Sequence, residues 1–257
     1  MRHSLYAFLL LTLVACGTTP DDKNYTAEEL YSQAMEAMED HNFERAVKKF
    51  EKLQSRYPYG RYAQQAQMEI AYSYYKQGEP APALSAIDRF IKQYPNNAHL
   101  DYMYYLKGLI NFDENLGGVI NKLSQQDPSE RDQKSLRDSF DAFKELVSRF
   151  PDSQYTPDAR LRMQYLLNTL AGSDIHVASY YLRRGAYVAA VNRAKGVLID
   201  YPQTPQTRAA LQIMAQAYDA MGLTELRDDA KRVLNRNLAK NEVAPALREI
   251  PKPANPR

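Results

Sequence analysis

From residue 27 onward the apolar positions recur three and four apart, the period of one helix face. Leu30, Ala34, Ala37 and Met38 form a first set, and after a polar break at Asp40, His41 and Asn42 a second set runs Phe43, Ala46, Val47, Phe50, Leu53. Thr26 followed by Glu29 has the form of a capping box, so the first helix begins there. Two helical sets joined by a short polar break predict a helix hairpin. It closes at Tyr57 and Pro58, because Pro cannot continue a helix and biases the residue before it away from helical geometry.

The same closing pair returns as Tyr94 with Pro95, Phe150 with Pro151 and Tyr201 with Pro202. With these prolines in register, Ala46, Phe50 and Leu53 align with Ala83, Ile87 and Phe90 and with Ala190, Ala194 and Val197. A second skeleton, Ala71, Tyr74, Gly78, recurs as Ala178, Tyr181, Gly185 and as Ala215, Tyr218, Gly222. A small residue, an aromatic one turn later and a glycine one turn beyond describe the end of a helix held close to a neighbour. The pattern resembles the tetratricopeptide repeat of about 34 residues and predicts an all-α fold, an α-solenoid of about five helix hairpins.

Successive closing prolines lie 37, 56 and 51 residues apart, so the later intervals each hold more than one unit. The first excess falls in residues 113–132, where Gly117, Gly118, Asp127 and Pro128 predict a long inter-helix loop. The second falls in 156–172, where Pro157 can begin a helix and Ala159, Met163, Leu166, Leu167 and Leu170 form a stripe; an extra or extended helix running toward Arg184 is expected. A last hairpin covers 206–222 and 224–239, with Leu211, Ala215 and Tyr218 on one helix and Leu226, Ala230, Val233 and Leu234 on the other. Asp228, Asp229, Lys231, Arg232 and Arg236 face away, as a terminal cap requires. The chain thus divides into N-terminal repeats at 27–112, the loop at 113–132, C-terminal repeats at 133–241 and a proline-rich tail at 242–257 that is expected to be mobile.

The N-terminus changes the picture from a repeat to an anchored repeat. Arg2 and His3 precede an apolar run at 5–15, too short to span a bilayer, which reads as a signal peptide over residues 1–15. The run ends in Leu13, Val14, Ala15, Cys16, Gly17, which resembles a bacterial lipobox with Val14 where Ala or Ser is usual. Cys16 is the only cysteine, and acylation accounts for a thiol with no possible intramolecular partner. A covalent diacylglyceryl and N-acyl lipid on Cys16 is therefore expected, no other cofactor is, and residues 16–26 become the lipidated tether. An ordinary cleaved signal with an incidental cysteine is the alternative. By resemblance to the lipoprotein sorting rule of Gram-negative bacteria, Gly17 in place of Asp favours the outer membrane.

Composition mainly excludes. Among 257 residues, 33 are basic and 31 acidic, for a net charge of +2; no overall field draws the chain to nucleic acid. No phosphate loop, zinc spacing or nucleophile elbow is present, so no enzymatic activity is expected. His3, His41, His99 and His176 are scattered and suit solvated or capping roles better than metal binding.

What remains is recognition, and Tyr is the residue that invites it: there are 20 Tyr and no Trp, and Tyr can bury a ring while exposing a hydroxyl. Tyr59, Arg61, Tyr62, Gln65, Tyr72 and Tyr75 combine rings, a cation and an amide, the kinds of group enriched at binding hot spots, with helix packing as the other reading of Tyr72 and Tyr75. Tyr102, Tyr104 and Tyr105 cannot all share one helix face, so at least one meets solvent or a partner; Tyr102 and Tyr105 join the peptide-binding set. Tyr180, Arg183, Arg184, Tyr187 and Arg193 gather cations near two rings, suited to an acidic partner surface or simply to a solvated face. Tyr218 is grouped with these docking residues.

A lipobox followed by RYPYGRYAQQAQ, AIDRFIKQYP, DYMYYLKGL, FPDSQY and VASYYLRRGAYVAAVNRAKGVLIDYP resembles the BamD family, also called ComL or YfiO, over residues 16–238. The resemblance implies five repeats in a non-enzymatic, lipid-anchored subunit of the β-barrel assembly machine at the periplasmic face of the outer membrane. It further implies that the N-terminal repeats recognise the β-signal of unfolded outer-membrane proteins, through the cluster at Tyr59, Arg61 and Tyr62. The C-terminal repeats would dock on the periplasmic domains of BamA, through the segment 191–193, with BamC and BamE as further lipoprotein partners. Another tetratricopeptide envelope lipoprotein, acting in trafficking or cell division, is the alternative.

Overall fold

The computed structural model describes residues 25–116 and 133–240, with side chains through 112 and through 237. The described residues form ten α-helices and no strand: α1 (Ala27–Glu39), α2 (Phe43–Arg56), α3 (Arg61–Gln77), α4 (Pro80–Gln93), α5 (Leu100–Leu116), α6 (Gln133–Arg149), α7 (Thr156–Arg183), α8 (Tyr187–Asp200), α9 (Gln206–Ala220) and α10 (Thr224–Lys240). The all-α fold of consecutive tetratricopeptide-like hairpins therefore stands as the repeat pattern predicts. Contacts divide the chain into two compact units, Met1–Ser73 and Tyr74–Arg257, with the boundary inside α3. The signal peptide, Cys16, most of the tether, the greater part of the 113–132 loop and the 242–257 tail lie outside the described residues. α5 continues to Leu116, so the first positions of the expected loop are helical.

The first helix opens with the predicted capping box: the Glu29 N–H donates to Thr26 Oγ1 at 3.2 Å, and the Thr26 N–H donates to Glu29 Oε2 at 2.8 Å. Four of the hairpins then turn the same corner. The Glu79 N–H reaches the Tyr74 carbonyl and the Gly78 N–H the Tyr75 carbonyl, and the same pair of bonds recurs from Ala186 to Tyr181 with Gly185 to Leu182, and from Leu223 to Tyr218 with Gly222 to Asp219. This double closure requires one residue in the left-handed region, which explains the repeated glycine, at φ of 75°, 74° and 73°. The hairpin of α1 and α2 makes the same bonds, from Asn42 to Ala37 and from His41 to Met38, but carries His41 at φ 58° in the glycine position. The sequence skeleton was invisible there because a non-glycine residue bears the strain.

The aromatic–proline closures are equally uniform. The N–H groups of Tyr57, Tyr94, Phe150 and Tyr201 each donate to the residue four earlier, at 2.7 to 3.0 Å, before the proline ends the helix. The carbonyls of Tyr94, Phe150 and Tyr201 then accept from Asn97, Ser153 and Thr204, so the freed acceptors are satisfied within the turn.

Between helices the aligned small residues are fully buried: Ala34, Ala71 and Ala178 in first helices, Ala46, Ala83 and Ala190 in second helices. In the hairpin of α5 and α6 the register places Ser139 where the others have alanine. Its hydroxyl donates to the Gly108 carbonyl at 2.9 Å, inside the core. Gly108 sits so close to α6 that a Cβ there would lie 2.4 Å from the Phe143 ring.

The extended helix expected after residue 156 is α7, 28 residues long, with Pro157 in its first turn. It packs against α6, α8 and α9 and carries a buried ion pair. The Arg162 side chain, 1 % exposed, donates from Nε to Asp158 Oδ2 at 2.6 Å, lies 4.7 Å over the Phe112 ring, and shares that carboxylate oxygen with the Tyr105 hydroxyl at 2.7 Å. The expected cap face of α10 is only partly present. Asp228, Asp229, Lys231, Arg232 and Arg236 are exposed, but so are Leu226 and Val233, whose apolar stripe was expected to be covered.

Two stability measurements test these contacts. Gly108→Ala forces a methyl into the Phe143 ring, and urea unfolding should show a loss of about 1–3 kcal/mol. Arg162→Met strands a largely buried carboxylate and should cost about 3 kcal/mol, whereas the double variant Asp158→Asn with Arg162→Met should recover part of that loss.

Candidate interaction surfaces

In the N-terminal unit the turn from α2 to α3 presents Tyr59 almost entirely to solvent, at 88 % exposure, beside Gly60 at φ 95°. Arg61 follows at the start of α3. Its guanidinium lies 4.7 Å above the Tyr62 ring, and its Nη2 donates to the Tyr62 hydroxyl at 2.9 Å. Tyr62 in turn packs on Tyr31, with centroids 5.5 Å apart, and Tyr31 packs on Phe50 at 5.6 Å. A chain of rings anchored on the buried Phe50 thus holds a cation at the surface, next to a free-standing aromatic. Such a pair can take an apolar or aromatic side chain together with a carboxylate, at low entropic cost because Arg61 is already positioned. Gln65 and Tyr72 are half-buried on the same helix, and Tyr72 meets Phe43 edge-on at 6.5 Å.

In the second unit Tyr75 is half-buried, and Tyr102 is half-buried with its ring 5.8 Å from Tyr155. Tyr105 is a correction. It is fully buried, stacked 4.7 Å from Tyr155 and hydrogen-bonded to Asp158, so it belongs to the core and cannot touch a peptide. Burial also pushes the Tyr155 phenol above its usual pKa, with a hydrogen bond involving Gln154 opposing it. The neighbour that sequence reasoning passed over is Tyr104. It lines a groove of about 410 Å³ between α4, α5 and α6, and Arg149 donates to its hydroxyl at 2.6 Å. Consecutive tyrosines on one helix must diverge, and the register of α5 against α6 decides which of them stays accessible. Asp141 and Glu145 line the same groove, as do Asp88, bridged to Lys107 at 2.6 Å, and Asp138, bridged to Lys134.

The cationic cluster divides. Arg183 and Arg184, at the end of α7, are exposed, as is Tyr180, and they have no ion-pair partner among the described residues. Val188 on α8 is 64 % exposed beside the half-buried Tyr187. Arg193 differs from its expected role as a free docking cation: its Nη1 pairs with Asp174 Oδ1 at 3.1 Å, tying α8 to the largely buried acid of α7. Reversing the charge of Arg193 would therefore place a carboxylate beside Asp174 and disturb the fold, so it is no clean test of docking. Tyr218 is half-buried, and its carbonyl closes the last hairpin.

Among the described residues no three His, Cys, Asp or Glu side chains group as metal ligands, and no helix is long and apolar enough to cross a membrane. His41 places Nδ1 2.9 Å from the Glu39 carbonyl at the first corner.

The chain is 42% identical over 238 residues to the outer membrane protein assembly factor BamD of Neisseria meningitidis, covering 90% of this chain and 89% of that protein. It is 35% identical to the protein of the same name from Vibrio cholerae, covering 91% and 98%, and 32% identical to that of Pasteurella multocida, covering 98% and 95%. Residues 23–233 match the profile of the YfiO family, described as outer membrane lipoprotein. This chain belongs to the YfiO family of outer-membrane lipoproteins.

Proposed function

We propose that this protein is a non-catalytic scaffold of outer-membrane protein assembly, anchored by lipid on Cys16 and working on unfolded β-barrel proteins before their insertion. The observation that carries the reading is the likeness, at 30 to 42% identity, to relatives named for that role over most of both chains. The surfaces agree with it. Tyr59 with Arg61 offers a ring and a pinned cation to an extended segment that ends in an aromatic residue and a carboxylate, the chemistry of a C-terminal β-signal. Arg183, Arg184 and Tyr180 offer exposed cations and a ring to an acidic surface on the periplasmic domains of BamA. BamC and BamE would bind the same body.

Three measurements test this. Tyr59→Ala, at a position that contributes little packing, should reduce crosslinking to a β-signal peptide while the melting temperature stays unchanged; equal crosslinking would remove Tyr59 from the site. Arg183→Glu with Arg184→Glu should weaken binding to the BamA periplasmic domains by roughly tenfold, the loss of about 1.4 kcal/mol, and the loss should shrink at high salt. Labelled palmitate should appear on the protein and disappear with Cys16→Ser; retained label would overturn the anchor.

A further inference from the structure

The groove between α4, α5 and α6 lies wholly in the second unit and is opposite in sign to the two cationic surfaces. Four carboxylates line it, from Asp88, Asp138, Asp141 and Glu145, against two ammonium groups, from Lys107 and Lys134. Both lysines are committed: Lys107 bridges Asp88 at 2.6 Å, and Lys134 bridges Asp138. Asp141 and Glu145 are left over. They are exposed and have no ion-pair partner among the described residues, although an arginine stands four residues from each. Arg137 instead donates to Gln133 Oε1 at 2.7 Å, and Arg149 donates to the Tyr104 hydroxyl at 2.6 Å. Two like charges one turn apart on a helix repel. α6 thus carries a local conflict with two arginines within reach and neither used to relieve it.

An independent observation sits on the wall of the same groove. Asn111 lines it and is 4 % exposed. Its Nδ2 donates to the Lys107 carbonyl at 2.9 Å, while its Oδ1 accepts from no described residue and is not sealed from the groove. A nearly buried amide oxygen of this kind calls for a donor from outside the fold. The remaining walls include Leu84, Ala142 and Tyr104, around a volume of about 410 Å³, within the roughly 300–1,000 Å³ of clefts that hold a ligand. Lysine and arginine side chains suit such a lining, with their methylene stems on the apolar walls and their heads at the carboxylates.

We propose that this groove is a docking site for an extended segment of a partner protein that carries Lys or Arg at alternate positions. Asp141 and Glu145 are about 6 Å apart along α6, close to the roughly 6.6 Å between alternate residues of an extended chain, whose side chains share one side. A helix with basic residues four apart matches that spacing too, but its N–H groups are used within the helix. An extended segment keeps one free for Asn111 Oδ1.

The test uses the full chain in detergent and a short fluorescent peptide alternating Thr and Arg, with binding read by anisotropy. The peptide should bind, and Asp141→Asn with Glu145→Gln should weaken it roughly tenfold. The melting temperature should hold or rise, because the repulsion on α6 is removed. Asp152→Asn with Glu225→Gln removes the same charge from exposed positions outside the groove and should change binding by no more than about twofold. Absence of peptide binding, or equal weakening by the two pairs, would mean that no specific site exists. Unchanged binding in the groove pair would place the peptide elsewhere. Competition by free spermine at the peptide's own concentration would assign the groove to a small cation, and equal affinity for an alanine-based helical peptide with Arg four apart would remove the extended segment. Any of these results overturns the proposal.

Discussion

Everything in this fold depends on how closely one helix may approach the next. Ala34, Ala46, Ala71, Ala83, Ala178 and Ala190 are each fully buried with no more than a methyl for a side chain. At Gly108 even a methyl is excluded by Phe143. Close approach lets each large side chain, such as Phe50, Phe90, Phe143 or Leu146, fill the space beside a small one, which is how a helical interior reaches crystal-like density. The corner hydrogen bonds and the aromatic–proline closures then keep each helix at the length that sustains this register. A hairpin one residue longer would rotate its alanine face by about 100° away from its partner.

That constraint also decides what could be read from the chain. The alanines, the glycine corners and the proline closures are local, and their repetition made the hairpins and the long α7 legible. Three features were not. His41 hides a fourth corner because its left-handed backbone is held by the hydrogen bonds of the turn rather than announced by a glycine. Ser139 hides an alanine position because its hydroxyl has a carbonyl to satisfy it. Tyr105 read as a surface residue because nothing nearby in sequence reveals Asp158, Arg162 or Tyr155, more than forty residues away in the chain.

The candidate surfaces follow the same logic of near and far. Tyr59, Arg61 and Tyr62 are adjacent in sequence, so their cluster was visible, although the dependence of Tyr62 on Tyr31 and Phe50 was not. Arg183 and Arg184 stand at a helix end where exposure is the default, whereas Arg193, ten residues on, is bound to Asp174 across an interface. A single run of basic residues thus contains two kinds of cation, one exposed at a helix end and one used to hold α8 against α7.

The length of α7 has a mechanical consequence. Its 28 residues make a rod of about 42 Å, with the buried Asp158–Arg162 pair near one end and Asp174, Arg183 and Arg184 toward the other. Because the same rod contacts α6, α8 and α9, a load applied at its exposed basic end is shared by helices from three hairpins instead of opening one joint.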